Sequence, residues 1–337
     1  MPEVTAGRLS SNCIEAWENN TPLRTGGWQT ASHFTAPCGP HNREKLKTRS
    51  GSSSSMRYRY GFGLNALVAL AAVAMVIAPG AVCRAATPDT SDYCDPSLCK
   101  PNHTHIGCNA TTQFGELCPA QTVQLVPMEQ PLQELILKLH NGLRSELAGG
   151  KMDGFAAAER MAVLEWDDEL ASLAEYNART CQYLHDECRG TERYRNAGQN
   201  IGRKSGAGNV TIDLERAITD LTNKWWQEYV ETNQTVLDDY RAVGEGVDIG
   251  HFAQMASDRV TKVGCGATRY YNEARKRSYV YYVCNYSHSN EHGQPVYRKG
   301  TQCGKCGEAK CSPTYPGLCE GIGNTIDKEL YPATIAS

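Results

Sequence analysis

The chain has 337 residues, 21% charged and 40% hydrophobic, which excludes a mainly disordered polymer and leaves room for more than one average domain. Its 34 basic and 37 acidic residues give a formal charge of −3, so no broad positive field is available for nucleic acid. Fifteen cysteines, most of them in the second half, make the redox compartment the first question, and the odd count requires at least one thiol to be unpaired or removed.

Residues 1–55 show no sustained apolar period and end in Gly51 and a run of serines. They read as a poorly ordered leader or a gene-model extension before Met56. Arg57 and Arg59 then precede an apolar run over 66–78, broken by Pro79-Gly80 and followed by Ala81, Ala85 and Ala86. A basic start, an apolar stretch of about thirteen residues and small exit residues describe a secretory signal peptide over 56–85. The run falls short of the about twenty apolar residues of a membrane span, so no membrane anchor is expected.

Cleavage near Ala85 removes Cys13, Cys38 and Cys83 together with nine basic and four acidic residues, leaving 25 basic against 33 acidic. Twelve cysteines remain: Cys94, Cys99, Cys108, Cys118, Cys181, Cys188, Cys265, Cys284, Cys303, Cys306, Cys311 and Cys319. An even number after a signal peptide reads as an oxidised framework in a secreted, extracellular protein. Its connectivity stays open, although Cys265 and Cys284 lie near the two arms of a predicted hairpin. Sequons at Asn102, Asn109, Asn209 and Asn233 are expected to carry glycans. Asn285 also starts a sequon but lies in a probable strand and is expected to stay unmodified.

Residues 86–127 hold four cysteines and no helical period. Helical spacing begins at Pro131, continues through Leu132, Leu135, Ile136, Leu139, Leu143 and Leu147, and stops at Gly149-Gly150. A second helix is predicted over 168–184, a glycine-rich loop over 202–208, and a third helix over 211–230. Strands are predicted at 260–271 and 278–286, joined by the polar 272–277, with the tyrosine-rich 279–286 read as half-buried. Asp238-Asp239 reads as a solvated loop. The layout is α+β.

Four residues are candidates for chemistry, although their spacing alone is a weak signal. His185 follows Cys181 by four. Gln199 sits in Gly198-Gln199-Asn200. Glu228 falls on the apolar stripe of the third helix, where a carboxylate is costly unless paired. His251 opens a predicted short helix in Gly250-His251-Phe252-Ala253-Gln254-Met255. Two histidines and a carboxylate suit a divalent metal or acid–base work, while a lone histidine is more often structural. No Gly-x-Ser-x-Gly elbow and no His-Glu-x-x-His helix occurs. Cys303-x-x-Cys306 with Cys311 and Cys319 resembles a zinc knuckle by spacing, but after a signal peptide disulfides are the better reading.

The string from Gly250-His251-Phe252 to Val263-Gly264-Cys265-Gly266 resembles the first signature of the CAP superfamily, which joins cysteine-rich secretory proteins, antigen 5 venom allergens and plant pathogenesis-related proteins. Tyr281-Tyr282-Val283-Cys284-Asn285-Tyr286 resembles the second. His140-Asn141-x-x-Arg144 and Trp166-Asp167-x-Glu169-Leu170-Ala171 are also similar. Cys181-x-x-x-His185-Asp186-x-Cys188, and the lead-in from Tyr93-Cys94 to Gly107-Cys108, are closest to the arthropod antigen 5 branch. The resemblance implies a disulfide-braced three-layer α-β-α sandwich over 128–300 with a short cysteine-rich tail over 301–337. It also implies a cleft lined by two histidines and two acidic residues. His185, Glu228 and His251 match three of these, and Gln199 stands where many members carry Glu. Ser257, where Trp is usual, and Asn290-Glu291 are further departures.

The loss of a carboxylate at position 199 favours a non-enzymatic scaffold with no required cofactor. Small hydrophobic or amine ligands, sterols, or Zn²⁺ or Cu²⁺ held by His185 and His251 are the cargo that the resemblance implies. Host or extracellular proteins are implied partners. Such a protein would be a saliva or venom component and an allergen. The alternative is a hydrolase or protease using His251, Glu228 and His185. Channel modulation is disfavoured because only four cysteines follow Gly300.

Overall fold

The computed structural model describes residues 92–241 and 247–323. The expected leader at 1–55 and the expected signal peptide at 56–85 lie outside them.

Helix α1 (Gln130–Ala148) starts with Pro131 in its first turn, where a missing N–H costs nothing, and stops at Gly149, after which Gly150 turns with φ +67°. It buries Ile136, Leu147 and Ala148, each apolar side chain of leucine size contributing about 2 kcal/mol. Helix α2 (Asp168–Ala178) starts where Asp167 accepts a hydrogen bond from the Leu170 amide. It ends six residues earlier than its periodicity predicts. The Thr180 hydroxyl donates to the Asn177 carbonyl, and Cys181 takes a left-handed φ of +52°, which no helix continues through.

Helix α3 (Leu214–Gln227) is capped by Asp213 and is likewise shorter than predicted, giving way to a 3₁₀ turn at Glu228–Glu231. Helices α4 (Gln234–Asp238) and α5 (Gly250–Ala256) are short. Asp238 and Asp239 are not merely solvated: they pair with Lys299 and Arg241.

The strands are β1 (Gln124–Val126), β2 (Glu165–Trp166), β3 (Gly198–Ala207), β4 (Lys262–Asn272), β5 (Arg277–Tyr286), β6 (Lys310–Cys311) and β7 (Cys319–Glu320). The main sheet runs β1-β4-β5-β3 with antiparallel neighbours, and β2 lies parallel beside β4. Helix α2 covers one face, and α1, α3 and α5 cover the other, which is a three-layer α-β-α sandwich of the α+β class.

Two expectations fail here for the same reason. The predicted glycine-rich loop is strand β3, paired with β5 over its whole length. Its glycines mark close approach rather than a turn: a Cβ on Gly202 would meet the Leu221 and Trp225 side chains at 3.1 Å. Strand β5 is buried on both faces from Ser278 onward rather than half-buried, because helices lie on both sides of it.

Gly264 and Gly266 of β4 bring α2 against the sheet. A Cβ on Gly264 would lie 2.2 Å from the Ala171 nitrogen, and one on Gly266 would lie 2.6 Å from Glu175 Cα. On the opposite face, Arg144 is fully buried with no carboxylate in hydrogen-bond reach. Its guanidinium donates to the carbonyls of Met255, Ser257, Ala162 and Val260 at 2.7–3.2 Å, and burial lowers its pKa to about 9.

Among the described residues six disulfides close the structure: Cys94–Cys108, Cys99–Cys188, Cys118–Cys181, Cys265–Cys284, Cys303–Cys311 and Cys306–Cys319. Cys265 and Cys284 face each other across β4 and β5. Two others tie the N-terminal segment to Cys181 and Cys188, on either side of His185. Among the described residues no helix is long and apolar enough to cross a membrane.

Candidate functional site

A cleft of about 290 Å³ opens between the 185–200 region and α5, lined by His185, Arg189, Gln199, Asn200, His251 and Asn290 among others. His185, Gln199 and His251 therefore meet in one place although they come from a loop, an edge strand and a short helix. Glu228 supports this cleft from behind rather than lining it.

Glu228 does not occupy an interior turn of α3. It sits where α3 passes into the 3₁₀ turn, and both of its oxygens are engaged. Oε2 accepts from the backbone amides of His251 and Phe252 at 2.9 and 3.0 Å, satisfying the first turn of α5. Oε1 accepts from His251 Nδ1 at 2.6 Å. Trp225 stacks on the His251 ring at 5.9 Å and on Tyr282 at 5.1 Å, while its Nε1 donates to the Ile201 carbonyl. The imidazole is thus oriented by a carboxylate on one edge and an indole on one face.

His185 is held differently. Gln199 Nε2 donates to Asp186 Oδ2 at 2.6 Å and to Asn285 Oδ1 at 3.0 Å. The amide orientation follows from these acceptors, since the reverse would set oxygen against oxygen. Gln199 Oε1 must then accept from His185 Nδ1, at 2.8 Å. Asp186 is almost wholly buried and also accepts from Arg189 Nε and Asn177 Nδ2. Burial lowers the His185 pKa, and the charges of Arg189 and His251 act in the same direction.

In the neutral form each ring therefore carries its proton on Nδ1 and leaves Nε2 as a lone pair. A third imidazole lies deeper. His140 Nδ1 donates to the Ile136 carbonyl at 2.8 Å, so its Nε2 accepts from the Tyr286 hydroxyl at 3.0 Å. Tyr286 accepts from Asn200, which also donates to the His251 carbonyl at 3.1 Å. Burial lowers the His140 pKa to about 4 and raises that of Tyr286.

Among the described residues no group of three or more His, Cys, Asp or Glu converges to hold a metal. In neutral rings the two Nε2 lone pairs are the available nitrogen donors of the cleft, and Glu228 is not among its lining residues. This donor set does not fit a zinc site with three protein ligands.

Asp186, Asn177, Asn285 and Arg189 were not singled out as site residues from the sequence. Asp186 adjoins His185 between two cysteines, a readable signal. Asn285 belongs to the second signature and to a sequon; it is fully buried and bonded to Gln199 and to the Leu170 carbonyl.

A disulfide-braced α-β-α sandwich carrying a His–Gln/His–Glu cleft defines the class. The model of the cysteine-rich secretory protein (CAP) family matches residues 137–286. Venom allergen-1 of Aedes aegypti is 42% identical over 229 residues, which is 68% of this chain and 87% of that protein. Antigen 5 like allergen Cul n 1 of Culicoides nubeculosus is 37% identical over 189 residues, covering 54% of this chain and 84% of that protein. The crystal structure of Na-ASP-1 aligns with a TM-score of 0.47 at 24% identity, covering 62% of this chain and 51% of that one. The chain belongs to the CAP family.

Proposed function

We propose that this chain is a secreted, non-enzymatic antigen 5-like protein, a rigid binding scaffold whose cleft takes a small polar or amine ligand between His185 and His251. One observation carries the reading: each imidazole has Nδ1 committed to a neighbour, both rings line the same cleft, and each neutral ring keeps Nε2 as an acceptor. Such a pair receives donor groups. A divalent ion such as Zn²⁺ or Cu²⁺ is then only a weak guest, with water completing its shell. Two relatives bear the names venom allergen and antigen 5 like allergen, which supports a role as a saliva or venom component and allergen. Six disulfides support secretion. Asn102, Asn109, Asn209 and Asn233 are exposed, as glycan acceptors must be.

The hydrolase reading meets two obstacles. Glu228 stands behind the cleft, bonded to His251 and the first turn of α5, rather than among the residues that line it. Ser289 and Tyr240, hydroxyls that line the cleft, hydrogen-bond to neither imidazole.

Calorimetric titration of the secreted chain with primary amines and with Zn²⁺ tests the proposal. Binding that His185→Ala and His251→Ala each abolish supports it. Cleavage of a peptide library that His251→Ala removes refutes it.

A further inference from the structure

The end of the sheet remote from the cleft carries an arrangement that the reading above does not use. Opposed residues across an antiparallel pair point to the same face, and here Arg203 opposes Tyr281, Ser205 opposes Tyr279, and Ala207 opposes Arg277. Arg203 lies over two rings, 4.9 Å from the centroid of Tyr183 and 5.1 Å from that of Tyr279. Arg277 reaches across to Ser205, to whose hydroxyl both Nε and Nη2 donate, at 3.2 and 3.0 Å. That anchor places its head about 7 Å along β3 from Arg203, two residues at strand rise. Arg275 lies two residues before Arg277 at the exposed tip of the hairpin, and its charge, like that of Arg203, acts on the Tyr270 hydroxyl.

These three guanidiniums are exposed, and among the described residues none has a carboxylate partner. Their lysine neighbours do: Lys204 pairs with Asp220, and Lys276 with Glu273. Cations on edge strands often serve only to deter pairing. That accounts for Arg203 on β3 but not for Arg277, which lies on the interior strand β5. Arginines fixed by ring stacking and a hydroxyl lose little freedom on binding, and each keeps several N–H donors in a planar fork suited to tetrahedral oxyanions.

We infer that Arg203, Arg275 and Arg277 form a docking surface for a sulfated polysaccharide. The charge complementarity is local, since the chain as a whole is acidic and repels polyanions elsewhere. The choice of a sulfated glycan over other polyanions rests on the proposed secretion, because sulfated glycans are the polyanions of the extracellular space.

The test is retention of the folded, oxidised chain on immobilised heparin, eluted with sodium chloride. Wild type should be retained at low salt. Arg203→Gln/Arg275→Gln/Arg277→Gln should elute earlier, with the salt dependence of log affinity falling by about one unit per arginine. A control with equal charge loss at exposed positions elsewhere, Lys138→Gln/Lys224→Gln/Lys305→Gln, should elute as wild type. Arg275→Glu, which breaks no side-chain contact of the fold, should reproduce the direction of the triple variant even if the latter folds poorly. No retention of wild type, or an equal loss in the control, overturns the docking surface. Equal retention on single-stranded DNA overturns the choice of glycan. Secretion is read separately, by N-terminal sequencing of exported protein, so failure of either reading is distinguishable.

Discussion

Gln199 Oε1 receives the Nδ1 proton of His185 at 2.8 Å because both amide hydrogens of Gln199 are already given to Asp186 and Asn285. The amide is therefore the piece that lets a buried carboxylate and an imidazole share one wall of the cleft.

Restoring the acidic residue common in the family should be costly here. In Gln199→Glu, a carboxylate replaces a donor that lies 2.6 Å from Asp186 Oδ2. The folded state would raise the new carboxyl's pKa above its unfolded value. The penalty is therefore absent at low pH, where the group is protonated in both states, and full above the raised pKa. About 2 kcal/mol of lost stability is expected at pH 7, shrinking towards pH 4. Urea unfolding at both pH values measures it. A variant as stable as wild type at pH 7 contradicts the assigned donor pattern.

Acid should weaken the fold through His140. Its folded pKa of about 4 lies below the ordinary imidazole value of 6.5, so between these limits the unfolded chain binds a proton that the native state refuses. Stability attributable to this group is complete above about pH 6.5 and falls by about 3 kcal/mol as pH drops to 4. His140→Gln should flatten the stability–pH curve over that window, and parallel curves for the two proteins would contradict the account.

Gly264→Ala should be among the most damaging single-methyl additions. The new Cβ would meet backbone atoms of Ala171 and Asp167 at 2.2 and 2.3 Å, and backbone cannot rotate aside. A loss of about 3 kcal/mol or more, seen as a large fall in Tm or in secreted yield, is expected. A change within about 0.5 kcal/mol would show that α2 does not rest on β4 as described.

Ser257→Ala should act in the opposite direction. Ser257 is fully buried and its hydroxyl oxygen has no hydrogen-bond partner, while its carbonyl serves Arg144. Removing an unsatisfied hydroxyl while keeping the backbone acceptor should stabilise by up to about 1 kcal/mol. Chemical denaturation reads the gain, and a loss of similar size would indicate a partner for the hydroxyl.

Much of this was legible in the residues. The cores of all three long helices followed from apolar spacing, and the β4–β5 hairpin from its Val and Tyr content. His185, Gln199 and His251 followed from motifs. What escaped was set by contacts distant in sequence. The stop of α2 depends on the backbone at Cys181 and on its bond to Cys118, neither of which leaves a mark on periodicity. The glycines of β3 matched a turn because local composition cannot distinguish a flexible link from a strand pressed against an indole. Glu228 was correctly marked as needing a partner, but the partners proved to be the first turn of α5 as well as an imidazole.

The short stretch bearing His185 is riveted at both ends, by Cys118–Cys181 and by Cys99–Cys188. Forming those two bonds thus casts this wall of the hollow once. A ligand of the proposed kind would bear no ordering penalty for that wall and would meet a mould rather than a hand that closes. A change of ligand would then require exchanging side chains on a fixed surface, not moving the surface itself.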